Sequence, residues 1–318
     1  MTDFTSSVAV IIAAYNASAT VGRAVASALA ESEAAQVVVV DDDSTDDTRE
    51  AARKADDGSG RLRIVRQVFN EGPAAARNRA IRETDAPWIA VLDADDYFLP
   101  GRLKDLLRHA DSADFIADDF YRTPDGNPVL GVKEPRRVGF EEFVCANITD
   151  PKRQRQEMGF LKPLMRRDFL MSHNIAYKEN MRLGEDYELY ARSLASGARM
   201  MLVPAQGYVS VWRETSLSGD HRAFDLEQLR DCDRSLAAMP GLSAADRDAL
   251  RRHFLSVDCR LQWRNLIDAV KARSPSRMLA CFARPWPVPG YLFARLAEQA
   301  VARSGKALQR LKVKHEVE

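Results

Sequence analysis

The chain of 318 residues is 46% apolar and 29% charged, ordinary values for a folded globular protein, which exclude the disordered and collagen-like classes. Basic and acidic residues balance at 46 each, but from Arg247 onward 15 Lys/Arg face 6 Asp/Glu, so an acidic front precedes a basic tail. Cys145, Cys232, Cys259 and Cys281 are scattered without a CxxC pair, which argues against a zinc site or disulfide framework and for reduced thiols.

In chain order, the apolar run Val8–Ala14 predicts a strand ending at Tyr15-Asn16, then a helix through Val21, Val25 and Leu29. A β-branched run at 37–40 stops at the acidic stretch 41–46, and good N-cap residues place a helix start near Ser44–Asp46. A third strand is expected at 61–65. Gly72-Pro73 opens a helix over 74–83, and 88–92 is a fourth strand ending at Asp93-Ala94-Asp95-Asp96. Continuously apolar strands alternating with helices predict an α/β fold with a parallel, doubly wound sheet. Ligands of such sheets bind at the carboxyl ends of the strands, where three polar clusters would share one rim.

Further on, 114–123 reads as a strand with a turn at 124–128, and 140–168 is mixed, with a basic loop at 152–155. A helix over 184–196 opens with acids, and strands are expected at 200–203 and 208–211. From 224 the pattern is mainly helical, which divides the chain into a catalytic unit, 1–220, and a basic helical region, 221–318. The N-terminus has no basic n-region, and Arg284 and Arg295 break the best apolar run in the tail. The expectation is a cytoplasmic protein, at most resting on the inner face of the cell membrane, with no nucleic acid partner.

Asp93 and Asp95, two apart at a strand end, can converge on one Mg2+ or Mn2+ ion, which commonly binds one or two carboxylates plus substrate phosphates. The alternative is a solvated acidic turn. Asp41 and Asp42 offer acceptors for the imide N–H of a uracil, or else an N-cap cluster favoured by the helix dipole. Arg77 can bridge phosphate and carboxylates with its planar fork, or simply make a surface ion pair. Asp186, in Gly184-Glu185-Asp186, is a candidate general base or a helix-capping acid. Arg213 and His221 flank a polar loop that could close over a phosphate, making Arg213 a candidate for the nucleotide-sugar site; the alternative is a merely exposed loop. No GxGxxG, Walker loop, GxSxG elbow or HExxH is present.

Five elements, at 8–16, 39–46, 72–78, 92–96 and 184–186, together resemble the family 2 inverting glycosyltransferases of GT-A fold, in that family's order and spacing over residues 6–215. Asp43 stands where the family usually has glycine, and the QxxRW motif of processive synthases is absent, which favours transfer of a single sugar. The resemblance implies a Rossmann-like, mainly parallel sheet flanked by helices, with a C-terminal helical extension. It implies that Ala14, Tyr15 and Asp42, with Asp41 beside it, hold uridine and that Arg77 serves the pyrophosphate. It places Asp93 at the ribose or sugar, a divalent cation on Asp95, and the base at Asp186. The narrower likeness is to succinoglycan-type glucosyltransferases of bacterial exopolysaccharide synthesis, implying UDP-glucose as donor and a lipid-linked oligosaccharide as acceptor.

The tail mixes basic residues with Phe282, Trp286, Tyr291, Leu292 and Phe293, a composition suited either to an anionic membrane surface or to a helical cap on the catalytic unit. Two rivals stay open on sequence: a nucleotidylyltransferase, which would want a Gly-rich basic loop after the first strand, and a non-catalytic glycan- or membrane-binding protein on the same fold.

Overall fold

The computed structural model describes residues 7–123, 126–148, 156–212 and 222–315, with side chains described as far as residue 301. Its first half alternates strand and helix: β1 (Val8–Ala14), α1 (Val21–Leu29), β2 (Ala34–Asp41), α2 (Thr48–Lys54), β3 (Leu62–Arg66), α3 (Pro73–Arg82) and β4 (Trp88–Val91). β1, most of β2 and β4 are buried, as continuous apolar runs require when helices cover both faces of a sheet. These strands pair in parallel in the order β3-β2-β1-β4.

The second half adds β5 (Tyr97–Phe98), α4 (Arg102–Leu107), β6 (Phe115–Thr123), β7 (Arg136–Val138), α5 (Phe140–Ala146), β8 (Leu164–Arg166), α6 (Arg167–Ser172), α7 (Glu185–Ala195) and β9 (Met200–Val211). The sheet continues β4-β8-β6-β9-β5, and β7 also pairs with β9, on the edge opposite β6. β6 and β9 are parallel, while β8, β5 and β7 run antiparallel to their neighbours. The sheet is therefore mixed, with its longest ladders parallel.

Three differences from the sequence reading have local causes. The helix expected from Ser44–Asp46 begins at Thr48, because the capping side chains are engaged elsewhere. Ser44 Oγ, Thr48 Oγ1 and Asp46 Oδ2 accept from the backbone N–H groups of Asn16, Ala17 and Ser18, at 2.9, 2.7 and 3.0 Å, tying the β2–α2 loop to the end of β1. The strands expected at 200–203 and 208–211 are one strand, β9, whose register on β6 shifts so that 204–207 bulge opposite Asp119. Asp118 Oδ2 accepts from the N–H of Gln206 and Tyr208, and Arg102, itself fully buried, closes on the same carboxylate at 2.6 Å. The mixed stretch 140–168 contains β8, three residues wedged antiparallel between β4 and β6.

Past the sheet come α8 (Ala223–Ala237), α9 (Ala244–Lys271), α10 (Pro275–Phe282) and α11 (Val288–His315). α8 packs on α7 and α9 on α5, and Leu226, Leu229, Leu236, Leu250, Val257 and Leu261 join the main core. A buried triad reinforces the seam. Tyr187 of α7 donates to Asp233 Oδ1 at 2.8 Å, His253 Nδ1 lies 2.8 Å from Asp233 Oδ2, and the Tyr187 and His253 rings stack 4.5 Å apart. Gly184, at φ 73°, opens α7 in the left-handed backbone that favours glycine, and a Cβ there would push the Leu229 side chain of α8, whose Cδ1 would lie 2.7 Å away. The first two helices past the sheet are thus packed on α7 and α5 through a shared apolar core.

Candidate active site

The register Ala14↔Asp41 brings the ends of β1 and β2 level, and β4 lies on the other side of β1, so the carboxyl ends of three strands form one rim. Ala14 is buried there, its carbonyl accepting from the N–H of Asp42 at 2.8 Å, while Tyr15 is half exposed. Asp41 is fully buried; it accepts from Ser44 N and meets Arg49 at 3.1 Å, holding the turn from behind. Asp43 takes φ 60°, the left-handed conformation glycine would supply, and pairs with Arg66 at 2.9 Å. The departure from glycine leaves that backbone conformation in place.

Asp42 shapes the rim more than its position in the sequence suggests. Its carboxylate accepts from Gln67 Nε2 at 2.6 Å and from the N–H groups of Glu71 and Gly72 at 2.8 Å each. It thereby folds the loop that leads into α3. A carboxylate offers about four acceptor positions, so one remains for a ligand N–H.

α3 then delivers Arg77 to the centre of the site. The guanidinium is buried and bonds Asp93 at 2.8 Å, Glu185 at 3.0 Å and Asp186 at 3.2 Å. The neighbouring Asn78 clamps the backbone of Tyr177, donating to its carbonyl and accepting from its N–H, both at 2.9 Å. The Tyr177 ring lies beneath the Arg77 guanidinium, 5.4 Å from ring centre to Cζ. A second cation completes the cluster: Lys162 Nζ sits 2.6 Å from Asp186 and 3.2 Å from Asp93. Three carboxylates and two cations leave one formal negative charge.

The electrostatics follow from burial opposed by pairing. Burial would raise the Asp93 carboxyl, but Lys162 and Arg77 hold it down at about 2. For Glu185 burial and Asp186 prevail over Arg77 and Lys162, and its carboxyl is raised. Burial would lower Lys162, yet Asp186 and Asp93 keep it firmly protonated.

Of the acids after β4, Asp96 turns inward, accepting from Tyr208 Oη at 2.7 Å and from Val211 N at 2.8 Å. Burial, with Asp93 and Asp95 adding repulsion, pushes its carboxyl up to about 7. Asp95 stays partly exposed on the rim, and its carbonyl accepts from Arg23 at 3.0 Å. Among the described residues no three His, Cys, Asp or Glu side chains are grouped to cage a metal. A Mg2+ or Mn2+ ion held by one carboxylate and the oxygens of a diphosphate needs no such cage, and an oxygen donor such as Asp95 fits it.

The structure therefore brings Arg77, Asp93 and Asp186 into one cluster and sets Ala14, Tyr15 and Asp42 along the adjoining rim. Arg213, His221 and the loop between them lie outside the described residues. Lys162, one lysine in a mixed segment, carries no motif in the sequence, and Glu185 stands out there only as the neighbour of Asp186.

Comparison with known proteins gives consistent matches. The profile described as "Glycosyl transferase family 2" matches residues 9–169. The succinoglycan biosynthesis protein ExoU of Rhizobium meliloti (strain 1021) is 46% identical over 300 residues, 92% of this chain and 87% of that protein. ExoO, the succinoglycan biosynthesis protein of the same organism, is 34% identical over 273 residues, 83% and 74% of the two chains. Among solved structures, S. aureus TarS 1–349 in complex with UDP-GlcNAc superposes with a TM-score of 0.66 at 18% identity, over 86% of this chain and 90% of that one. The mannosyltransferase PcManGT from Pyrobaculum calidifontis, in complex with GDP-Man and Mn2+, gives 0.59 at 18%, over 92% and 86%. At such identities these two structures establish the GT-A-like fold alone.

Proposed function

The chain belongs to glycosyl transferase family 2, and on that premise we propose that it transfers a single hexose, glucose in first place, from a UDP-sugar to a hydroxyl of a lipid-linked oligosaccharide, with inversion to a β-linkage, in bacterial exopolysaccharide synthesis of the succinoglycan type. The observation that carries this reading is the meeting of Arg77, Asp93 and Asp186, from segments far apart in sequence, at the carboxyl rim of the sheet. The names of the relatives ExoU and ExoO support the polysaccharide, and the UDP-GlcNAc complex of TarS supports a UDP-sugar.

Displacement at the sugar C1 requires the acceptor hydroxyl to lose its proton as it attacks, the task given to the Asp186 carboxylate. The departing diphosphate gathers negative charge, which Arg77 faces from the floor of the site. Asp95 would hold a divalent cation, which when bound would supply Lewis-acid stabilisation of the same charge. Tyr15 and the last acceptor position of Asp42 serve the uracil beside Ala14, with Asp41 bracing the turn. Asp93 meets the ribose or sugar, and Arg213, flanking the polar loop, is assigned to the donor side.

Residues 1–220 form the catalytic unit in this proposal, and the tail past α9 adds a peripheral contact with an anionic membrane surface, where a lipid-linked acceptor resides. Leu279, Trp286 and Phe293 are 71, 77 and 64% exposed, and Phe293 packs on Phe282 with ring centres 5.0 Å apart. The exposed Arg273, Arg277 and Arg284 stand nearby in the chain, and from 299 to 315 the sequence holds five basic residues and no acid. No helix among the described residues is long and apolar enough to cross a membrane. Apolar side chains beside exposed cations fit an anionic bilayer face.

The test is UDP release from UDP-glucose in the presence of an acceptor-bearing lipid extract. Asp186→Asn is expected to lose about 10²–10⁴ in kcat while still binding UDP. Undiminished turnover would remove Asp186 from the mechanism, and release of pyrophosphate from UTP and a sugar phosphate would make the enzyme a nucleotidylyltransferase instead.

A further inference from the structure

Asp186 and Tyr187 leave adjacent positions in the first turn of α7 and go to different places. Asp186 enters the site, meeting Arg77 at 3.2 Å and Lys162 at 2.6 Å, while Tyr187 enters the seam with the C-terminal helices. Its ring stacks on Phe143 of α5, with centres 5.9 Å apart, and on His253 of α9, with centres 4.5 Å apart. Its hydroxyl donates to Asp233 Oδ1 at 2.8 Å, and His253 Nδ1 lies 2.8 Å from Oδ2 of the same carboxylate. All three side chains are buried, Asp233 to 1% exposure.

α8 thereby meets α7 on both sides of the acidic pair. Leu229 closes on Gly184 and Asp233 holds Tyr187. Positions 229 and 233, four apart, share one face of α8, and 184 and 187, three apart, share one side of α7. Glu185 and Asp186 are the two residues between these contacts. No side chain caps the start of α7, so its first turn is fixed from outside the helix. Ring stacking alone would fill the seam. A buried carboxylate is costly unless fully hydrogen-bonded, and an apolar residue in its place would avoid that cost. What the network adds is a fixed distance and direction, because a satisfied buried network holds one arrangement. Catalysis is sensitive to such placement: a displacement of about 1 Å can cost about 10²-fold in rate. Building on the reading of Asp186 as the base, we propose that Tyr187 is a positioning residue, its hydroxyl anchored on Asp233 and His253 so that the C-terminal helices set where the Asp186 carboxylate meets the acceptor hydroxyl.

Three variants separate position from packing. Tyr187→Phe keeps the ring and drops the hydroxyl. Tyr187→Phe/Asp233→Leu replaces both ends of the hydrogen bond by apolar groups of similar size, an exchange that can be nearly neutral for stability. Asp233→Asn keeps an oxygen for the Tyr187 hydroxyl and an amide for His253. UDP release from UDP-glucose with the acceptor-bearing lipid extract gives kcat and KM, calorimetry gives UDP affinity, and both are read well below each variant's unfolding temperature. For Tyr187→Phe, kcat is expected to fall about 10–100-fold with KM for UDP-glucose and UDP affinity unchanged. The double variant stays as slow although folded, whereas Asp233→Asn keeps a kcat close to wild type. Wild-type kcat in either Phe-bearing variant overturns the proposal. So does a fall in UDP affinity that matches the fall in kcat, or an Asp233→Asn variant as slow as Tyr187→Phe. If Tyr187→Phe does not fold, the double variant takes its place; if neither folds, Asp233→Asn decides, a folded but slow protein overturning the proposal and a wild-type kcat supporting it. Asp186→Asn is run in parallel. Full activity there would sink the base reading itself, whereas an inactive Asp186→Asn beside a fully active Tyr187→Phe sinks only the role of Tyr187.

Discussion

Replacing Arg77 by methionine keeps a long side chain in α3 and removes the cation that joins three acids. Glu185 and Asp186 have side chains only 14 and 10% exposed, so neither can recover its hydration fully. Breaking a buried ion pair by deleting one partner costs about 3–5 kcal/mol. Asp93, at 31% exposure, can turn partly to water, and Lys162 stays to offset one charge, which places the expectation near the lower end, about 3 kcal/mol. For a domain of this size that is a fall in Tm of roughly 6–12 °C. The pH dependence gives the sharper signature. A carboxyl whose folded pKa is raised, as that of Glu185 is, favours the fold while protonated and costs stability as pH climbs from its unfolded value through its folded one. Losing Arg77 raises it further, so the deficit of Arg77→Met against wild type should be larger at pH 8 than at pH 5.5. Urea unfolding of both proteins at the two pH values measures this. A deficit under about 1 kcal/mol, or one equal at both pH values, would show that the cluster is not the buried, mutually dependent unit described.

Other substitutions probe neighbouring parts. Asp42→Ala strands the N–H groups of Glu71 and Gly72 and should cost about 2–4 kcal/mol in chemical unfolding together with most UDP affinity; unchanged UDP binding would detach the 67–72 loop from the donor site. Asp233→Ala removes the acceptor of Tyr187 and the partner of His253, with an expected loss of about 2–4 kcal/mol, and a stability within error of wild type would mean that the α7–α8–α9 seam does not depend on the triad. Asp43→Gly should change stability by less than about 1 kcal/mol, since relief of the left-handed backbone is offset by chain entropy and a surface ion pair. Asp substitutions at Leu279, Trp286 and Phe293 should abolish co-sedimentation with vesicles rich in anionic lipid while soluble UDP binding persists; sedimentation that survives all three would move the membrane contact elsewhere.

The first half of the fold was legible because strands buried on both faces must be apolar throughout, and 8–14, 37–40 and 88–91 are. β5, β7 and β8 were not, since two or three residues give no period to detect, and β9 was divided in two because Pro204 and Gly207 mimic a turn where Asp118 in fact stabilises a bulge. At the site, Asp93, Arg77 and Asp186 carried local signals: an acidic strand end, a helix opened by Gly-Pro, a Gly-Glu-Asp helix start. What sequence spacing cannot express is the direction a side chain takes after a strand end. Asp96 turned to Tyr208 and Asp41 to Arg49, each away from the rim that their neighbours face. Lys162 has no local signature, because its meaning lies wholly in partners from two other segments. The basic tail could be read equally as a cap or as a membrane contact; α8 and α9 pack on α7 and α5, and the exposed aromatic side chains lie beyond them.

The central claim, that the rim is a metal-assisted UDP-sugar site, is tested most directly by calorimetry of UDP binding with and without Mn2+, for wild type and Asp95→Ala. The account predicts binding that Mn2+ strengthens in the wild type and that Asp95→Ala renders insensitive to the metal. No UDP binding by the wild type in either condition would contradict it.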